Sequence, residues 1–281
     1  MIKKILCCLT IILPAQLALA DDAGSLFTQG MAAMEQGQLV QARSALSDAL
    51  FSRELDKQQE SQAVKVLTML AQDTVFSANI IEGDPLVIAY TMRAGDTIAS
   101  VNRKLGCNVP SDFLEKINGV DASQIKQGTT LKFIRGPFCG LISKQNFTLD
   151  IYLSNGGQKI FVRRAKVAIG KNDGTPVGMF RVSGKAQKAT WVPPKSMAKK
   201  YKKPVKWGQK GYPLGKEGLF MSLRGIDDST RSVKGYGIHG TNAQWSIGKA
   251  ASHGCIRVGD KDISAIWSLM TEGASRVEIT D

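Results

Sequence analysis

The C-terminal half of the chain is built of short apolar segments separated by turns, and this pattern restricts it to a largely β fold. The segments alternate apolar and polar residues and are rich in β-branched side chains, as expected for strands with one buried face. Strands are predicted at 147–153, 160–169, 178–182, 218–223, 235–239 and 276–279. Only 263–271 indicates a helix, with Asp260 or Asp262 as its N-cap. We therefore expect a mostly β domain over residues 146–280.

A smaller unit precedes this β region. A strand and a turn lead into a helix that Asp96 or Thr97 would cap, and a second helix ends at Asn118. A closing strand follows the Gln-Gly turn at 127–128. This strand–helix–helix–strand order resembles a LysM module over residues 88–134, which implies binding to glycans that contain N-acetylglucosamine. A purely structural βααβ domain is the alternative.

Two further segments complete the organisation of the chain. Residues 24–77 show helical periodicity that resembles one tetratricopeptide helix pair followed by a capping helix. This region is either a packing element or the binding site of a protein partner. Gly-Pro at 136–137 is expected to begin a linker before the β domain. The predicted fold class is thus multidomain α+β.

The N-terminus is typical of an export signal. Lys3 and Lys4 precede an apolar run at 5–13, and the small residues at 18–20 form a cleavage site. A retained membrane anchor is the alternative, but the apolar run is short and Pro14 interrupts it. Removal of residues 1–20 predicts an exported protein of the periplasm or cell wall, without stable membrane insertion.

The chain is strongly basic, with a formal net charge of +13. In a cytoplasmic protein this charge would suggest nucleic acid, but the export signal and the absence of a recognised nucleic-acid motif argue against that partner. Anionic wall polymers and peptide carboxylates are better candidates outside the cytoplasm. Residues 184–216 concentrate the charge, either as a substrate-flanking lid or as a solvated loop. The basic and aromatic residues of this stretch are Lys185, Lys188, Lys195, Lys199, Lys200, Lys202, Lys203, Lys206, Lys210, Lys216, Trp191, Tyr201, Trp207 and Tyr212.

Three cysteines remain after the signal. Because the count is odd, an oxidising compartment would allow one pair and one free thiol. Cys107 and Cys139 are close in sequence and are expected to form a disulfide, which leaves Cys255 free.

Both histidines of the chain lie close to this remaining cysteine. Cys255 follows His253 by two residues and His239 by sixteen. A cysteine becomes a good nucleophile when a nearby imidazole takes its proton. The arrangement predicts acyl-transfer chemistry with Cys255 as the nucleophile.

Five motifs occur in order across the β region. They are Thr175-Pro176-Val177-Gly178-Met179-Phe180-Arg181-Val182, Tyr212-Pro213-Leu214-Gly215, Ile238-His239-Gly240-Thr241, Ser246-Ile247-Gly248 and Ser252-His253-Gly254-Cys255-Ile256-Arg257. Residues 146–280 therefore resemble the L,D-transpeptidase catalytic domain. The resemblance implies attack on a peptidoglycan stem tetrapeptide, between the L-centre of diaminopimelate and D-alanine. A thioester and then a direct diaminopimelate–diaminopimelate (3-3) cross-link follow.

The resemblance also assigns roles to single residues. It implies that His239 is the general base and that the backbone carbonyl of Gly240 orients its imidazole. Gly254 would let the backbone approach the substrate, and nearby N–H groups, including that of Cys255, would form an oxyanion hole. Arg257 would bind a substrate carboxylate or support the loop.

The two remaining residues of the loop are less specific. Ser252 is expected to make local hydrogen bonds. Three alternative roles are kept for His253: stabilising the thiolate, positioning substrate or shaping the loop.

The same residues allow alternatives to an L,D-transpeptidase that forms cross-links. A zinc site of His239, His253 and Cys255 lacks the acidic residue of a metalloprotease pattern, and we expect no cofactor. A non-catalytic wall-binding scaffold is disfavoured because both Cys255 and His239 are present. Water as acceptor would give an L,D-carboxypeptidase, and a protein amine would attach that protein to the wall.

Overall fold

The structure is a computed structural model that describes residues 22–194, 197 and 202–281. The predicted export signal at 1–20 lies outside these ranges, as do four of the basic and aromatic residues of the stretch 184–216, namely Lys195, Lys199, Lys200 and Tyr201. Within the described ranges, no helix combines the length and the hydrophobicity that a membrane span requires.

Three helices form the N-terminal region, as the periodicity predicted. They are α1 (Ala23–Glu35), α2 (Leu39–Ser52) and α3 (Lys57–Thr74). Asp22 and Asp56 cap α1 and α3 by accepting hydrogen bonds from N–H groups of the first helical turn. The first two helices pack closely because α1 carries Gly30, where a Cβ would lie only 2.5 Å from Cγ of Leu46.

The helical region packs on the outside of the β region. Its hydrophobic cluster includes Phe161, which belongs to a strand of the sheet. Ser47 Oγ accepts a hydrogen bond of 3.0 Å from the Phe161 N–H, and the Gln158 side chain donates to Ser44 and Asp48. These contacts support the interpretation of the helices as a packing element, and a protein partner stays a hypothesis.

The βααβ order predicted for the middle segment is present. It consists of β1 (Val87–Thr91), α4 (Ile98–Lys104), α5 (Ser111–Asn118) and β2 (Thr130–Ile134), and β1 and β2 pair antiparallel. Thr97 is the N-cap of α4, in a capping box with Ser100. The Asn118 side chain joins α5 to β2 by donating to the carbonyl of Lys132 and accepting from its N–H.

A buried ionic cluster connects this segment to the helices. Arg43 and Asp84 form a two-pronged ion pair of 2.7 and 3.0 Å with almost no exposure of either side chain. Lys132 is also buried, and its Nζ donates to the carbonyls of Thr74 and Ser77. Burial lowers the pKa of Lys132 to about 8, while the nearby Asp84 opposes the shift. Removing one partner from such a cluster would leave an uncompensated buried charge.

Nine strands form the β region within the described ranges. They are β3 (Phe138–Ser143), β4 (Thr148–Asn155), β5 (Gln158–Gly170), β6 (Gly178–Ala186), β7 (Phe220–Gly225), β8 (Tyr236–His239), β9 (Ala250–Ser252), β10 (Ile256–Val258) and β11 (Arg276–Thr280). The strand order is β10-β8-β7-β6-β11-β3-β4-β5-β9. Because β10 also pairs with β5, eight strands close into a barrel around the main hydrophobic core.

Strand β3 occupies the place where a linker was expected. Residues 138–142 are all buried, because one side of β3 faces the barrel core and the other faces the helices. A strand covered on both faces lacks the alternation that marks a half-exposed strand. The linker prediction was therefore wrong, and Phe138 instead packs edge-on against Phe113 of α5 at 5.0 Å.

The predicted disulfide was also wrong. Cys107 lies in the main core beside α4, together with Phe138. Cys139, the next residue along β3, points to the opposite face and packs with Tyr152 under the helices. Opposite faces of one strand separate the two thiols, and all three described cysteines are free.

Among the described residues, the β region contains one α-helix, α6 (Asp260–Leu269). Its N-cap is Gly259, so the predicted side-chain cap by Asp260 or Asp262 was wrong. Both carboxylates lie instead in the first turn, where the helix dipole stabilises negative charge.

Strands β9 and β10 were not predicted because three residues are too few for a periodic signal.

Candidate active site

Strand β10 lies between β8 and β5 and brings the candidate residues onto one face of the barrel wall. His239 of β8 is directly opposite Phe220 of β7 on one side and Arg257 of β10 on the other. Their neighbours Ile238 and Ile256 belong to the core, so alternation turns His239 and Arg257 outward. The site is therefore on the outer face of the barrel.

Cys255 stands one residue before β10, on the same outer face as Arg257. The parallel register pairs Ile256 with Ile238, which places Cys255 beside Gly237. The Cys255 side chain is half-buried, and its Sγ lies 3.8 Å from the carbonyl oxygen of Gly235. The fold thus places Cys255 and His239 at adjacent strands. Cys255 is level with Gly237, two residues before His239.

The His239 ring is held from two directions. Its Nδ1 lies 2.6 Å from the carbonyl oxygen of Gly240, as the resemblance implied. A carbonyl only accepts, so Nδ1 carries the proton and Nε2 keeps its lone pair. The Phe220 ring stacks on the imidazole with an interplanar angle of 15°. Gly237 makes room for that ring, because a Cβ there would come within 2.6 Å of it.

Burial keeps both reacting groups neutral at rest. Desolvation lowers the pKa of His239 to about 4, although the Gly240 hydrogen bond opposes the shift. Desolvation likewise raises the pKa of the Cys255 thiol, against the opposing effects of the Gly237 backbone and the Arg257 charge. Near pH 7 the resting pair is therefore a thiol and a neutral imidazole.

The loop before Cys255 is held by Ser252 and by a glycine. Ser252 Oγ accepts from the Gly254 N–H at 3.0 Å and donates to the Cys255 carbonyl at 2.7 Å. This geometry agrees with the local hydrogen-bonding role expected for Ser252. Gly254 has φ of 131°, a conformation that side chains rarely adopt, and a Cβ there would also meet the Gly174 carbonyl.

Thr175, in the first of the five sequence motifs, is a buried contributor to the site that the sequence pattern does not indicate. Its Oγ1 accepts a 2.7 Å hydrogen bond from the Gly170 N–H and donates a 2.9 Å bond to the Gly254 carbonyl. Thr175 is 1% exposed, so both bonds are shielded from water. It thereby connects the end of β5 to the loop of the nucleophile. Only the tertiary structure reveals this contact, since 79 residues separate Thr175 from Gly254.

Arg257 and His253 complete the mouth of the site. Arg257 is half-buried, and desolvation lowers its pKa. His253 is exposed, and its pKa is lowered by desolvation and by the charges of Arg257 and Lys171.

The described part of the basic stretch is partly ordered by its aromatic residues. Lys188 lies over the Trp207 ring at 4.6 Å, and the Tyr212 hydroxyl donates to the Ala189 carbonyl. Trp207 donates to the Lys216 carbonyl. In the described ranges, no group of three or more His, Cys, Asp or Glu side chains is placed to hold a metal ion.

We predict that alkylation of Cys255 by iodoacetamide accelerates about tenfold per pH unit between pH 7 and pH 9. The thiol pKa is raised, so the thiolate fraction still increases across this range. The alkylation is quenched at successive times, and peptide mapping by mass spectrometry then gives the rate at each cysteine. A plateau between pH 6 and pH 8 would instead indicate a resting thiolate–imidazolium pair. Buried Cys107 and Cys139 serve as internal controls that react only on unfolding.

We predict that Thr175→Val slows alkylation of Cys255 and lowers the free energy of unfolding by about 1–3 kcal/mol. The change leaves a buried N–H and a buried carbonyl without their partner. Thr175→Ser keeps the hydroxyl and should behave much more like the unmodified protein. Urea unfolding and alkylation rates test both variants, and equal behaviour of the two would contradict the positioning role.

Comparison with known proteins identifies the family of this chain. The family model of the YkuD L,D-transpeptidase catalytic domain matches residues 141–279. YqjB of Bacillus subtilis (strain 168), a protein named as an L,D-transpeptidase, is 32% identical over 142 residues, which cover 50% of this chain and 70% of YqjB.

Two other similarities are more limited in extent. YkuD of the same organism is 52% identical over 48 residues, covering 17% of this chain and 29% of YkuD. L,D-transpeptidase 1 of Mycobacterium tuberculosis aligns with a TM-score of 0.33 and 20% identity, over 55% of this chain and 68% of that structure. The family match and the extended similarity to YqjB agree on one conclusion: the chain belongs to the L,D-transpeptidase family and carries its catalytic domain.

Proposed function

We propose that this L,D-transpeptidase uses Cys255 as its nucleophile and His239 as its general base to form 3-3 cross-links in peptidoglycan. The supporting observation is the hydrogen bond from His239 Nδ1 to the Gly240 carbonyl. This bond leaves the Nε2 lone pair available to the thiol on the neighbouring strand. Histidine and a carbonyl then fill two of the roles of a catalytic triad.

The first step is acylation of the enzyme. His239 Nε2 takes the thiol proton as Sγ attacks the carbonyl carbon between diaminopimelate and D-alanine. The tetrahedral intermediate collapses when the imidazolium returns this proton to the D-alanine amine, which leaves as the C–N bond breaks. Because both groups are neutral at rest, proton transfer accompanies the attack.

The oxyanion requires a donor from the nucleophile loop. The Gly254 N–H already donates to Ser252, so we assign this role to the Cys255 N–H. Gly254 contributes by its backbone conformation, and Thr175 holds its carbonyl. The half-buried Arg257 is suited to a substrate carboxylate at the mouth of the site.

The second step transfers the stem to an acceptor. An amine of a second stem attacks the thioester carbonyl, its proton passes to His239, and the thiol leaves. Water in the same position would give L,D-carboxypeptidation, and a protein amine would give attachment to the wall. These alternatives share the acyl-enzyme and differ only in the acceptor.

We propose further that the protein is exported and that its βααβ segment is a LysM-like module that binds glycan strands. Three of the motif residues have structural duties: Asp96 accepts from Tyr90, Thr97 caps α4, and Asn118 joins α5 to β2. Glycan contacts must therefore come from other residues of 88–134. Binding to the wall would raise the local concentration of stems near the thiol.

We predict that imipenem adds one drug-sized mass to the protein and that Cys255→Ala abolishes this adduct. The strained β-lactam carbonyl is an acyl donor that needs an activated, accessible thiol. Intact-protein mass spectrometry measures the adduct, and His239→Asn should slow its formation by at least a hundredfold. Purified stem tetrapeptides then identify the acceptor from the products. No adduct and no turnover in a folded protein would overturn the catalytic proposal.

We predict that the Cys255→Ala protein sediments with isolated peptidoglycan and that oligomers of N-acetylglucosamine release it. The substitution prevents turnover but leaves the βααβ segment unchanged. Release by oligomers of glucose to the same extent would contradict specific glycan binding. Release by salt alone would assign the binding to the net positive charge.

A further inference from the structure

Three arginines form a row across neighbouring strands on the outer face of the barrel. Arg181 of β6 is directly opposite Arg276 of β11 on one side and Arg224 of β7 on the other. All three side chains are exposed. Cα atoms in directly opposite positions are about 4.5–5.5 Å apart, so the row concentrates three positive charges in a short distance.

This row carries an electrostatic cost in the free protein. Like charges directly opposite each other destabilise a sheet. Among the described residues, none of the three arginines takes part in an ion pair. Asp227, which follows β7, is engaged instead by the Met179 N–H and by Ser229 and Thr230, which hold the pKa of its carboxyl well below the usual range.

The row opens into a groove of about 560 Å³. Arg181, Arg224 and Arg231 line it, and Glu272 is the acidic residue in its wall. Arg231 pairs with Asp228 at 3.0 Å, but both side chains are largely exposed, so the pair is weak and easily exchanged. The groove therefore has an excess of positive charge, with three arginines against one glutamate in its lining.

The groove lies on the same face as the catalytic thiol. Ser222 of β7 is directly opposite Gly237, which lies beside Cys255, and Arg224 follows Ser222 by two residues on that face. Strand spacing of about 4.8 Å and a rise of about 3.3 Å per residue put the Cα atoms of Arg224 and Cys255 about 12 Å apart. One arginine side chain and one or two peptide residues cover that distance.

We propose that Arg181 and Arg224, assisted by Arg231, bind the free carboxylates of a stem peptide whose other end reaches Cys255. This assignment rests on the proposed function and names the part of the substrate that this groove recognises. Guanidinium groups bind carboxylates through paired, charge-assisted hydrogen bonds. Their repulsion in the free protein is relieved when the acidic peptide occupies the groove.

The surroundings of the groove favour a soluble acidic peptide over a membrane surface. The exposed large apolar side chains of the described residues are Met69, Ile80, Val177, Val192, Trp207 and Trp245, and none of them lines the groove. A membrane-binding face would combine its basic residues with apolar side chains that insert. The distance of about 12 Å between the Cα atoms of Arg224 and Cys255 also points to substrate rather than to a separate ligand.

The test combines the double variant Arg181→Gln/Arg224→Gln with substrate amidation. We expect the variant to lower kcat/KM for a stem tetrapeptide at least tenfold, mainly through KM, because two charged hydrogen-bonding partners are lost. With the unmodified enzyme, kcat/KM should fall by a similar factor when the stem is amidated at its carboxylates outside the reacting bond. The arginine variant and the amidated stem together should lower kcat/KM little more than either change alone. The loss should also shrink as salt is raised.

Three controls keep the outcome unambiguous. Lys65→Gln/Lys261→Gln removes two exposed charges on α3 and α6 and should leave kcat/KM unchanged. Imipenem acylation, which needs no stem, should proceed at the same rate in every variant. Thermal unfolding should show no loss of stability in the arginine variant, since repulsion is removed.

The outcomes separate the two proposals. If the unmodified enzyme neither reacts with imipenem nor turns over stems, the catalytic proposal fails. If it does both and the arginine variant matches it on acidic and amidated stems, the groove proposal alone is wrong. Equal losses in the arginine and lysine variants would attribute the effect to net charge and would also overturn the groove proposal. Binding of the arginine groove to anionic vesicles, lost in the variant while stem kinetics stay unchanged, would assign it to a membrane.

Discussion

The double pairing of β10 is the constraint on which the site depends. This strand of three residues pairs parallel with β8 and antiparallel with β5, and so closes the barrel. The same register places Arg257 beside His239 and Cys255 beside Gly237. A shift by one residue would turn Cys255 into the core and Ile256 toward solvent, because side chains alternate between faces. Burial of Ile256 and Val258 therefore also determines the direction of the thiol.

Around this strand, the site is stabilised by backbone groups and small side chains more than by ion pairs. The Gly240 carbonyl sets the tautomer of His239, Ser252 closes the nucleophile loop, and Thr175 connects that loop to β5. Neutral partners suit a site whose imidazole and thiol are both uncharged at rest. A carboxylate beside His239 would raise its pKa, and the burial observed here lowers it. The charged residues are kept at the mouth and along the arginine row, where substrate carboxylates would arrive.

The described helices and the βααβ segment pack against the barrel. Phe113 packs on Phe138, Phe161 is part of the helical cluster, and the Arg43–Asp84 pair joins helices and the βααβ segment without exposure to water. A glycan held by the βααβ segment would then lie at a defined position relative to Cys255. This differs from a flexible tether, in which only local concentration would increase.

The long elements and the residues of the candidate site could be proposed from the sequence, because their signals are local. Helical periodicity predicted the N-terminal helices, short apolar segments rich in β-branched residues predicted six strands, and the spacing of His239, His253 and Cys255 predicted a chemistry that stays a proposal. Local patterns failed where burial comes from both sides or from distant residues. Strand β3 has no alternation, and β10 is too short for a period. The thiols of Cys107 and Cys139 are separated by the two faces of one strand. Thr175 and the arginine row depend on which strands become neighbours. Strand pairing between distant segments is decided by the closure of the barrel and the filling of its core, and only the tertiary structure contains that information.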